Sequence, residues 1–116
     1  MDVVRNYAAN NDRAKLEKYG DTEEKRPLYL AYVSSPENIK NLKGIRADLQ
    51  TLIEARSATP KAIQEILDHL PVIVWLSFNV HGNEPSSSEA AIAILYQSGG
   101  GDRPSHGISF ARMRSS

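Results

Sequence analysis

Apolar side chains first alternate with polar ones at 13–19, Arg-Ala-Lys-Leu-Glu-Lys-Tyr, where Ala14, Leu16 and Lys18 share one face of an extended chain. The alternation is short and imperfect, but its period of two predicts a strand. Gly20-Asp21 then supplies turn chemistry. The next run, 27–34, reads Pro-Leu-Tyr-Leu-Ala-Tyr-Val-Ser and is rich in aromatic and β-branched residues. It predicts a second strand, and the two runs together predict an antiparallel pair joined by a polar loop.

The pattern changes at Ser35-Pro36-Glu37. Ser35 has the hydroxyl of an N-cap, Pro36 has the fixed φ of a first helical residue, and Glu37 and Asn38 occupy the first turn. Ile39 and Leu42 follow three apart, Gly44 is expected to interrupt, and Ile45, Leu49, Leu52 and Ile53 form an amphipathic stripe as far as Arg56. Thr59-Pro60 opens another helix by the same logic, with Ile63, Ile66, Leu67 and Leu70 as its stripe and Pro71 as its stop.

Residues 72–80 read Val-Ile-Val-Trp-Leu-Ser-Phe-Asn-Val. Five consecutive apolar residues leave no polar face, which predicts a central strand buried on both faces and covered by helices on each side. Trp75 and Phe78 are accordingly expected in the core. A helix is predicted over 86–97, with Ser86 and Glu89 at capping-box spacing and Ala90, Ala91, Ile94 and Leu95 as its apolar face. From Ser98 the composition turns linker-like, and Ile108, Phe110 and Met113 stand isolated among Arg, Ser and Gly. Residues 1–97 therefore read as one unit and 98–116 as a disordered or non-native tail.

Strands separated by helices predict an α/β fold with a partial mixed sheet, an N-terminal antiparallel hairpin, a central buried strand and flanking helices. Such a strand needs neighbours on both edges, and the few short strands before it supply them poorly. This deficit points to a piece of something larger.

Composition narrows the partners. Lys and Arg number 14, Asp and Glu number 14, and the net charge is zero. That balance argues against a nucleic-acid partner, whose phosphates select a basic surface. The longest apolar run, 72–76, is far too short to cross a bilayer, so no membrane role is expected. The first ten residues lack the apolar segment of a signal peptide. The chain has no cysteine, which excludes disulfides and thiolate metal sites. Oligomeric state and compartment are left open by these features.

Chemistry concentrates in Asn79-Val80-His81-Gly82-Asn83-Glu84-Pro85, between the predicted strand and the predicted capped helix. Loops at the C-terminal ends of strands are where open α/β folds place ligands. Imidazole and carboxylate are both zinc ligands, and His81 and Glu84 stand three apart with Gly82 between them to admit close backbone approach. A following helix N-terminus favours the ionised form of Glu84. Taken alone, H-x-x-E is common by chance. The plainer reading is that His81 bonds within the loop and Glu84 belongs to the helix start.

The segment 80–86, followed by Glu89-Ala90-Ala91, resembles the zinc-binding signature of the zinc carboxypeptidase family. The resemblance extends upstream over roughly 11–97. Lys15-Leu16-Glu17-Lys18-Tyr19-Gly20 and Glu24-Lys25-Arg26-Pro27-Leu28 are similar to that family's first hairpin, where a Gly-Arg-Pro turn is usual and Glu24-Lys25-Arg26-Pro27 stands here. Ser34-Ser35-Pro36-Glu37-Asn38 is similar to a segment common in bacterial members. The resemblance implies the N-terminal part of a phosphorylase/hydrolase-like carboxypeptidase domain, with Zn2+ as cofactor, His81 and Glu84 as two of its three protein ligands, and a peptide with a free C-terminus as substrate. It is compatible with a secreted or periplasmic full-length form. The family's third ligand, a downstream His, and its general-base glutamate and substrate-carboxylate arginines have no counterpart here, so the chain alone is expected to be inactive. A zinc amidohydrolase of the aspartoacylase and succinylglutamate desuccinylase type shares the His-Gly-x-Glu loop, and a non-catalytic α/β remnant is the alternative outside enzymology.

Other candidates read more simply. His69 ends a helix, where a cation suits the dipole and a structural role is expected. His106, in the tail, has nothing to orient it as a third ligand. Ser86, Ser87 and Ser88 lack an evident base and suit a helix start.

Overall fold

The computed structural model describes residues 2–78, 85–99 and 107–114. The first strand, β1 (Ala14–Asp21), pairs antiparallel with β2 (Pro27–Val33), as the alternation predicts. Tyr19 has no partner in the register between Lys18 and Gly20, so a bulge interrupts the ladder before its last two pairs, Gly20 with Leu28 and Asp21 with Pro27. The turn between the strands is closed by Thr22, whose N–H donates to the Arg26 carbonyl (2.8 Å) and whose carbonyl accepts from Lys25 N–H (2.9 Å). Lys25 takes a φ of 59°, a left-handed conformation that glycine adopts without penalty.

Beyond β2 the backbone turns directly into a helix. Ser34 is fully buried, and its hydroxyl accepts from Asn38 Nδ2 at 2.9 Å. Ser35 caps α2 (Pro36–Lys40), its hydroxyl accepting from the Asn38 N–H, and Pro36 occupies the first turn. The break before α3 (Leu42–Ile53) falls at Asn41 and not at Gly44. Gly44 lies inside α3, where a Cβ would meet the Asn41 side chain, so the glycine makes room for that side chain and does not end the helix. Thr59 caps α4 (Pro60–His69), and Leu70-Pro71 ends it as expected. A further helix that the pattern did not announce, α1 (Asp2–Ala9), precedes β1. The last helix, α5, spans Pro85–Gly99.

β3 (Val72–Ser77) and β4 (Gly107–Arg114) complete a mixed sheet of order β1-β2-β4-β3. β4 runs antiparallel to β2 and parallel to β3, with Phe110 in register with Tyr32 on one side and Trp75 on the other. Over 98–116, expected as a disordered or non-native tail, the described residues are ordered, while 100–106 and 115–116 lie outside the described residues. Residues 98 and 99 extend α5, and 107–114 lie in the sheet. The Gly, Ser and Arg that interrupt this segment hide a strand signal, because a ladder is held by backbone groups that every non-proline residue carries.

Two apolar clusters lie on the two faces of the sheet. On one, Val4 of α1 and Ala91 and Leu95 of α5 pack on Ala31 and Val33, with Tyr7, Leu16, Phe78 and Ile92 around them. On the other, Leu42 and Ile45 of α3 pack on Tyr32, joined by Leu30, Ile39, Leu49, Leu70 and Ile73. β2 supplies both clusters and has partners on both edges. The prediction of a central strand buried on both faces over 72–80 is therefore corrected. β3 is an edge strand, with Val72 70%, Val74 46% and Trp75 59% exposed. Five apolar residues in a row do favour burial, but position within a sheet is set by pairing with distant segments, which a local run does not encode. Trp75 thus leaves the core to which it was assigned, while Phe78 stays partly buried against the first cluster.

Two measurements follow. Ile45→Ala, at a site 4% exposed, is expected to lower unfolding free energy by about 2–5 kcal/mol in a urea titration, whereas Ile53→Ala, at a site 78% exposed, changes it by less than about 0.5 kcal/mol. Amide hydrogen exchange should be slow from Ile108 to Met113, because β4 is hydrogen-bonded to a strand on each side; unprotected exchange there would remove β4 from the sheet.

Candidate metal centre

The segment that carries His81 and Glu84 joins two anchored elements. Upstream, β3 ends at Ser77, and Phe78 tucks into the cluster shared with α1 and α5. Downstream, α5 begins at Pro85 and is held by Ala91 and Leu95 against Ala31 and Val33. β3, α5 and β4 form a β-α-β unit, since β3 and β4 are parallel and α5 packs on β2 and β4. The connection over 79–84 thus follows the carboxyl end of a parallel strand and leads into a helix N-terminus, the place where α/β sheets hold ligands. His81, Glu84 and the four other residues from 79 to 84 lie outside the described residues.

The start of α5 modifies the capping-box expectation. With Pro85 as the first helical residue, Ser86, Ser87 and Ser88 all lie within the first turn, and Ser86 is two residues too late to be the N-cap. Proline in the first turn recurs in α2 and α4, at Pro36 and Pro60. Glu84 directly precedes Pro85 in the chain.

Among the described residues, no group of three or more His, Cys, Asp or Glu side chains gathers as a metal site. His69 takes the structural place expected of it. It ends α4, and both ring nitrogens are engaged within the helical layer. His106 lies outside the described residues.

The compact charged cluster that sequence reading did not find is Glu17–Arg46–Tyr32. Arg46 Nη2 donates to Glu17 Oε2 at 2.7 Å and to the Tyr32 hydroxyl, and its guanidinium lies 5.3 Å from the centre of the Tyr32 ring. Glu17 and Tyr32 come from paired strands on the face that α3 covers, so α3 lays Arg46 over both. The hydrogen bond from Arg46 holds the Glu17 carboxyl below the usual carboxylate range. Burial pushes the Tyr32 phenol up, against the opposing pull of Arg46. The cluster ties a helix to a hairpin. Its members lie up to 29 residues apart, so no local motif announces it.

No family model matches the chain, and comparison with curated proteins and with solved structures finds no match to either.

The Glu17 contact sets a pH dependence. Its carboxyl is depressed in the folded state, so its contribution is present above the unfolded value of about 4.3 and is lost as pH falls through the folded value. Both partners are well exposed, which keeps the effect small. Arg46→Met should raise the Glu17 titration midpoint, read from its carboxyl carbon by NMR, toward the ordinary range; an unmoved midpoint would contradict the assigned cause.

Proposed function

We propose that the chain carries the N-terminal part of a zinc carboxypeptidase catalytic domain, with His81 and Glu84 as two of the three protein ligands of Zn2+. The observation that carries this reading is the position of His81-Gly82-Asn83-Glu84 between the carboxyl end of β3 and the start of α5. The hairpin gives independent support. Where the resembled family usually has glycine in a Gly-Arg-Pro turn, this chain has Lys25, and Lys25 adopts the left-handed conformation that such a glycine would serve. The Ser34–Asn38 segment also acquires a physical reason: its two hydroxyls and its amide fasten the end of β2 to α2.

Zn2+ bound in such a site polarises a scissile carbonyl and lowers the pKa of a bound water. The chain's own contribution would be His81 and Glu84 as ligands, brought close by a loop whose glycine permits a tight path. The substrate would be a peptide with a free C-terminus, and the products a C-terminal amino acid and a shortened peptide. A third ligand, a general base and a cation for the substrate carboxylate are not assigned to any residue here. A zinc amidohydrolase of the aspartoacylase type would share the loop. The hairpin and the Ser-Pro-Glu-Asn segment favour the peptidase.

Two protein ligands leave zinc open to water and to competing chelators, so affinity should be weak and turnover of peptides with free C-termini absent. Competition against a chromophoric chelator should show one bound zinc. His81→Ala and Glu84→Ala should each weaken binding by more than about tenfold, while His106→Ala leaves it unchanged. Zinc binding that survives both substitutions would overturn the ligand assignment. Turnover by the parent chain that both substitutions abolish would overturn the expectation that the site is incomplete.

A further inference from the structure

The junction of α3 and α4 holds a titratable group that the zinc reading does not use. His69 is the last residue of α4. Its Nδ1 lies 2.6 Å from the Glu65 carbonyl oxygen one turn back, and its Nε2 lies 2.9 Å from Asp48 Oδ2 on α3. Both partners are pure acceptors. A neutral imidazole carries one N–H and can satisfy one of them, leaving a lone pair aimed at the other. Only the imidazolium, with two N–H groups, donates to both at once. We propose that protonation of His69 is a pH-set clamp that fastens the end of α4 to α3.

The acidic and carbonyl neighbours of His69 favour its protonated form, against a smaller opposing effect of desolvation. The Asp48 carboxylate faces His69 from α3, and the Glu65 carbonyl and the Asp68 carboxylate face it from α4 itself. The Asp68 carboxylate accepts from Gln64 Nε2 at 2.8 Å, and the Glu65 carboxylate faces Lys61 at 4.0 Å. The carbonyl end of α4 adds negative potential of its own. Hydrogen bonding to Asp48 first, and to the Glu65 carbonyl second, raises the His69 pKa above its ordinary value.

The clamp sits where it steadies the route into β3. Leu70 follows His69 directly, and Leu70 and Ile73 pack with Tyr32, Leu42 and Ile45 in the cluster beneath α3. Three residues past His69 the chain enters β3, whose far end leads into the 79–84 segment. A group whose folded pKa is raised gives stabilisation that is complete below its unfolded value, about 6.5 for His, and is lost as pH rises through the folded value. The end of α4 is therefore held in mildly acidic solution and loosened toward alkaline pH, as one of its two imidazole bonds is lost.

Ring-nitrogen NMR on the full chain tests this, with the His69 ring signal assigned by scalar coupling to its sequentially assigned backbone. The His69 midpoint should lie above about 6.5 and fall toward it in Asp48→Asn. Hydrogen-exchange protection factors, corrected for intrinsic rates, should be higher for the last turn of α4 at about pH 5.5 than at about pH 8.5, and that difference should vanish in both variants. A midpoint at or below the ordinary value overturns the clamp. So does a midpoint indifferent to Asp48→Asn, or a protection difference that persists in His69→Gln. Because Asp48→Asn keeps the size of the side chain, the titration arm stands even if His69→Gln folds poorly.

Discussion

Strand β2 is the constraint on which the rest of this fold depends. Ala31 and Val33 point to the layer of α1 and α5, while Leu30 and Tyr32 point to the layer of α2 and α3, so one seven-residue strand enters both apolar clusters. Both its edges are paired, to β1 and to β4. Its last residue leads straight into buried Ser34 and the Ser35 cap, which fixes the direction of the helical layer on one face. A change that shifted β2 by one residue would exchange the two faces and empty both clusters at once.

The features legible in the sequence are those decided by neighbours in the chain. Ser35-Pro36 and Thr59-Pro60 announce their helices because a hydroxyl accepts from the N–H three residues on and proline presets φ, all within a few bonds. The β1–β2 hairpin follows from two short β-prone runs around a polar turn. What was not legible depends on distant segments. The run 72–76 is apolar enough for a central strand, yet β4 takes the place between β2 and β3 and leaves β3 at the edge. β4 itself is masked by Arg and Ser, and the helix α1 by its eight-residue length. The Arg46–Glu17 and His69–Asp48 contacts arise only once α3 lies on the hairpin and beside α4. The candidate site is legible as residue types and position, while the inner geometry of 79–84 lies outside the described residues.

The two edges of the sheet differ in a way that bears on the functional reading. β1 carries Lys15, Glu17, Lys18 and Asp21, the charged side chains with which natural proteins discourage unwanted strand pairing. β3 carries no charge, and Val72, Val74 and Trp75 are exposed. Among the described residues β3 forms an edge of the sheet, and an uncharged apolar edge strand invites association unless it is covered. As part of a larger mixed sheet its composition is unremarkable, since a strand covered on both faces and paired on both edges is ordinarily a run of Val, Ile and Leu. The same strand leads at its carboxyl end into the segment to which the chemistry is proposed.

The most direct test of the account is a crystal structure of the chain soaked in zinc, with anomalous scattering measured at the zinc edge. The account predicts one peak beside the segment between β3 and α5, with a His81 nitrogen at about 2.0–2.1 Å and a Glu84 oxygen at about 2.0–2.2 Å. A peak elsewhere on the molecule, or His81 and Glu84 on opposite faces of a helix continuous with α5, would contradict it.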